Sequence, residues 1–94
     1  MALYLISYDI AEKDKAEYGP LWAHLEEIGA VKILFSEWVV VADVGHAHSL
    51  YADIAPLVRI PDRLLIQEIL KDAAWDKLLI SDADFNTLLR SARG

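Results

Sequence analysis

Asp9 is the residue with the clearest chemical potential. It stands near the end of an apolar run, Ala2 to Ile10, that closes on Tyr8-Asp9-Ile10. Functional carboxylates often sit where a strand ends, because the rigid element holds them and the loop beyond leaves them open. One carboxylate is a poor site by itself. Two copies of Asp9, brought together in a symmetric dimer, would repel each other unless a cation lay between them. A hard cation such as Mg²⁺ binds few carboxylates, keeps several waters, and activates water against a phosphodiester. The competing reading is that Asp9 caps the turn after the strand, a frequent role for Asp. His46-Ala-His48 resembles a metal-ligand pair, but no cysteine accompanies it, and two ligands at that spacing make a weak signal. His24 falls between Trp22 and Leu25 within a helical pattern. Ser36 has no adjacent His or Lys to activate it, so it reads first as a turn or bulge residue. The four glycines are isolated, which rules out a glycine-rich phosphate loop. Trp22, Trp38 and Trp75 offer surfaces on which bases stack, yet their spacing suits a core.

The formal charge of −6 bears on partners. Nucleic-acid binding rests on Lys and Arg neutralising phosphates, and the nine basic residues here are scattered along the chain. Charge therefore argues against tight, non-specific binding of DNA or RNA. Without cysteine there is no disulfide framework, thiol nucleophile or thiolate metal site. No apolar stretch approaches the ~20 residues that span a membrane. No basic region precedes the first apolar run, so a signal peptide is not expected. A cytoplasmic protein with one domain over residues 1–94 is the expectation.

The elements that would position these residues follow from periodicity. Ala2 to Ile10 reads as a strand, with Leu3 and Leu5 on one side and Tyr4, Ile6 and Tyr8 on the other. Both sides are apolar, which predicts a central strand. Ala11 to Asp14 is a polar break. Tyr18, Leu21, Trp22, Leu25 and Ile28 form a helical stripe; Pro20 places its start between Ala16 and Gly19, and Gly29 ends it. Val31 to Asp43 is too long for one ordinary strand, so Ser36-Glu37 predicts a tight turn or bulge within it. After a turn at Val44-Gly45-His46, a second helix runs from Ala47 to Ala55, where Pro56 stops or kinks it. Pro61-Asp62 opens a turn into a strand over Arg63 to Leu70. Lys71 to Ile80 carries no decisive pattern. A final helix over about residues 82–93 is capped by Ser81 or Asp82, and Phe85, Leu88, Leu89 and Ala92 form its apolar stripe. The order is β-α-β-β-α-β with a C-terminal helix: an α+β, ferredoxin-like pattern. Two helices cover one sheet face. The other needs the C-terminal helix, a partner subunit, or both, and this predicts a homodimer.

Several of these segments also carry a resemblance. Leu5-Ile-Ser-Tyr-Asp-Ile10, an amphipathic helix ending at Gly29, Ser36-Glu-Trp-Val-Val40, a helix end at Pro56, Asp62-Arg-Leu-Leu-Ile66 and Ala73-Ala-Trp75 together resemble the small bacterial proteins labelled SinR family. Over about residues 2–70 the chain is similar, more distantly, to the CRISPR-associated Cas-two family and its toxin relative VapD. That resemblance implies a ferredoxin-like fold that dimerises through sheet faces. It also implies a metal-dependent ribonuclease or nuclease of a toxin or defence system, with Asp9 as the Mg²⁺ ligand and Tyr8 and Ser36 beside it as catalytic candidates. Leu34 stands where the Cas-two family usually has glutamine. Some members serve as structural adaptors, so a non-catalytic dimeric scaffold or regulatory module with a protein partner is the alternative expectation.

Overall fold

A computed structural model describes residues 1–9, 18–58, 63–70 and 73–93. Its elements run β1 (Ala2–Asp9), α1 (Gly19–Glu27), β2 (Val31–Leu34), β3 (Glu37–Ala42), α2 (Ala47–Ile54) with a 3₁₀ turn (Ala55–Leu57), β4 (Arg63–Ile69) and α3 (Asp82–Arg93). Ile10, the Ala11 to Asp14 break, Lys71 and the Pro61-Asp62 turn lie outside the described residues. The chain is α+β, with one four-stranded antiparallel sheet in the order β2-β3-β1-β4. Each helix that follows β1 or β3 crosses an intervening antiparallel strand, so β1 runs parallel to β2, and β3 to β4. No helix among the described residues is long and apolar enough to cross a membrane.

Alternation along β1 divides the molecule into two cores. Ala2, Tyr4, Ile6 and Tyr8 point to the side covered by α1 and α2, where they meet Leu21, Leu25, Trp38, Val40, Leu50 and Ile54. Leu3 points the other way, to Val39, Ile33, Phe85 and Leu89. The helix-covered face of this central strand is buried throughout, whereas on the other face Leu3 is buried, Leu5 and Ser7 are half-buried and Asp9 is exposed; the neighbours β3 and β4 repeat the same parity through the register.

Local chemistry sets the element ends. Pro20 occupies the first turn of α1, where its missing N–H costs no helical bond. Gly29 closes that helix at φ 83°, a left-handed conformation open to glycine. The Gly29 N–H then donates to the Glu26 carbonyl (3.0 Å) and the Ala30 N–H to the Leu25 carbonyl (2.9 Å), which together form a Schellman motif. Phe35 and Ser36 make the tight turn that splits the long β-prone run in two. Ser81 caps α3: its hydroxyl accepts the Asp84 N–H at 3.1 Å.

The segment before α3, which has no sequence pattern, is an irregular strap. The Leu79 N–H donates to the Ile33 carbonyl on β2 (2.8 Å). Trp75 meets Phe85 edge-on at 4.6 Å and donates its indole N–H to Asp82 (3.0 Å). Strap and helix cover the second sheet face around Leu3, Val39 and Ile33. The cover stops short of the end where Ser7, Asp9, Arg63 and Leu65 lie, and Leu65 is 54% exposed.

Candidate functional site

The end of β1 carries three of the residues singled out by type, and strand geometry separates them. Asp9 has odd parity and points to the second sheet face; Tyr8 has even parity and points into the helix-covered core. Asp9 is paired in register with Arg63, the first residue of β4. The Arg63 Nη1 donates to Asp9 Oδ2 at 3.1 Å, and both side chains are largely in solvent. A shallow depression of about 240 Å³ opens here, lined by Ser7, Tyr8, Asp9, Arg63, Leu64 and Leu65.

Tyr8 is almost fully buried, and its hydroxyl accepts two indole N–H groups, from Trp22 (3.0 Å) and Trp38 (3.1 Å). The arrangement explains two of the three tryptophans: their rings fill the core under the helices, and their polar edges converge on one phenol. Ser36 is exposed in the β2–β3 turn. Its main-chain carbonyl accepts the Tyr8 N–H at 3.1 Å, so the turn and the end of β1 are adjacent through the backbone.

The histidines do not gather. His46 precedes α2, where its main-chain N–H donates to the Tyr4 hydroxyl (2.9 Å), which in turn donates to the Asp43 carbonyl (2.8 Å). His48 is exposed, and His24 lies half-buried in α1 with its Nε2 buried and unbonded. Among the described residues no three His, Cys, Asp or Glu side chains converge on one point. Among the described residues, the Asp9 carboxylate at the β1 end has a guanidinium against one of its oxygens, and the Arg63 cation balances part of the charge that would draw Mg²⁺ there.

Two features escaped the linear reading. One is Arg63 as the partner of Asp9. The signal was present: unlike charges at the last residue of one strand and the first of another. The other is a groove of about 510 Å³ between the second sheet face and the strap, with Leu5, Ile33, Gln67, Trp75, Leu78 and Phe85 among its walls. Searched against models of known protein families, the chain matches none.

Proposed function

We propose that this chain is a non-catalytic, homodimeric module with a ferredoxin-like, Cas-two-like fold, acting in the cytoplasm by holding a protein partner. The strand order β2-β3-β1-β4, with helices after β1 and β3, supports the ferredoxin-like assignment. The Asp9–Arg63 ion pair carries the functional reading. A carboxylate that is to bind Mg²⁺ must offer free oxygens to the ion. Here the same chain, through the register of β4, sets a cation beside it. The scattered basic residues and the charge of −6 point the same way, away from RNA and DNA. Exposed Leu34, Phe35, Leu65 and Leu70 supply the apolar surface that an association needs.

One observation favours a second reading. Asp9 is exposed at the rim of the sheet, open to a second copy of itself. A Mg²⁺-dependent nuclease with Asp9 from two subunits as the metal ligands, and Ser36 and Tyr8 nearby, remains the rival. Cleavage of RNA and DNA in Mg²⁺ or Mn²⁺ by the wild type and by Asp9→Asn separates the two. The scaffold reading expects equal background from both proteins. Metal-dependent cleavage that disappears in Asp9→Asn overturns it.

A further inference from the structure

The groove between the second sheet face and the strap has the size and the lining of a small-molecule site. Its volume is about 510 Å³. Such sites span ~300–1,000 Å³ and are apolar, with a few polar groups that fix the ligand. Leu5 and Ile33 belong to the sheet side here, and Trp75, Leu78 and Phe85 to the side opposite.

Two polar side chains stand in this apolar lining. Gln67 is paired in register with Leu5, and its odd parity on β4 turns its amide to the groove face. Asp76 lies on the strap and is exposed. Neither side chain has a hydrogen-bond or ion-pair partner. Asp9 and Asp82 differ in this respect, since Arg63 engages one and the Trp75 indole the other. Glu68 also borders the groove, but its even parity sends its side chain to the helix-covered face. No lysine or arginine lines the groove among the described residues, and Lys77, the residue after Asp76, is not part of its wall. Lys71 and Asp72 lie outside the described residues and together add no net charge.

Trp75 stands beside Asp76 and is held from two directions. Its indole N–H goes to Asp82 at 3.0 Å, and its ring meets Phe85 edge-on at 4.6 Å. The indole is the aromatic side chain that attracts a cation most strongly.

We propose that this groove binds a small organic cation: an ammonium head on a short apolar body. The body lies against Leu5, Ile33 and Phe85. The head takes the Asp76 carboxylate as its counter-charge, with the Trp75 ring beside it, and the Gln67 side-chain carbonyl accepts an N–H. The charge of the whole chain, −6, favours the same class and repels carboxylates and phosphates. The assignment goes beyond the scaffold reading and does not depend on it.

Three probes of one shape and different charge test it: phenylpropylammonium, phenylpropanol and phenylpropionate. The readout is NMR on the isotope-labelled full chain. Gln67 is the sole glutamine, so its side-chain amide is a distinct reporter. Trp75 gives one of three indole N–H signals, and the other two, from Trp22 and Trp38, sit at Tyr8 in the core on the opposite sheet face. For ligands of ~10 non-hydrogen atoms, millimolar affinity is expected. The ammonium is expected to move the Gln67 and Trp75 signals saturably and to leave Trp22 and Trp38 in place. It should bind at least about threefold more tightly than the alcohol, with the carboxylate weakest. Asp76→Asn, at an exposed position, is expected to narrow the gap between ammonium and alcohol by about half or more. Gln67 and Trp75 signals that the ammonium does not move overturn the proposal. So does a carboxylate that binds as tightly as the ammonium, or a preference that Asp76→Asn leaves intact. Signals from Gln67 and Trp75 that shift with protein concentration alone also overturn it, because a second copy then fills the groove.

Discussion

Tyr8→Phe separates a structural tyrosine from a catalytic one. The substitution deletes one oxygen and leaves two indole N–H groups without their acceptor. The Trp38 donor is buried, and no solvent replaces the lost phenol. A buried donor left unpaired costs about 1–3 kcal/mol. Trp22 is half-buried, so water partly restores its bond and its share is up to about 1 kcal/mol. Together the loss comes to about 1–4 kcal/mol. For a domain of this length the Tm falls by about 4–8 °C for each kcal/mol lost. Urea unfolding followed by tryptophan fluorescence gives the comparison, with the midpoint falling and the slope unchanged. A loss below about 0.5 kcal/mol would refute the reasoning, because the two indoles would then not depend on the phenol. A catalytic Tyr8 makes the opposite prediction: normal stability with activity removed.

Three further substitutions probe the rest of the fold. Asp9→Asn breaks an exposed ion pair and is expected to change stability by less than about 0.5 kcal/mol, so any loss of function in that variant would be chemical in origin; urea titration checks it. Gly29→Ala forces a side chain into φ 83° at a position with open space around the new Cβ, so the cost is purely conformational, about 1–2 kcal/mol, and Gly29→Asn should cost less, by thermal melting of the pair. Phe85→Ala removes the ring that meets Trp75 in the second core and is expected to cost about 3–5 kcal/mol, with binding of a hydrophobic dye as Leu3 and Val39 lose their cover.

What was legible in the sequence was what local periodicity carries. The parity of β1, the stripe of α1, the Gly29 stop, the break in the long β-prone run and the Ser81 cap all depend on residues within a turn or two of one another, and each stands as expected. The strap was not legible, because its ties run to Ile33, Phe85 and Asp82 through one main-chain bond, one ring contact and one indole bond, none of which leaves a repeating pattern. The expected cover for the second face was found in part: α3 and the strap lie over Leu3, and Leu65 stays open.

The candidate site shows the same division most sharply. Tyr8-Asp9 reads as one motif along the chain, but a strand sends neighbours to opposite faces, so the pair is two sites. Tyr8 belongs to a buried network whose other members are 14 and 30 residues away. Asp9 belongs to an ion pair whose other member is 54 residues away. The register between β1 and β4 is what selects Arg63, and a shift by one residue would set the uncharged Leu64 there instead. The observed register gives a neutral pair. The partner of Asp9 is therefore decided on β4, 54 residues away in the chain, by the register that strand keeps with β1.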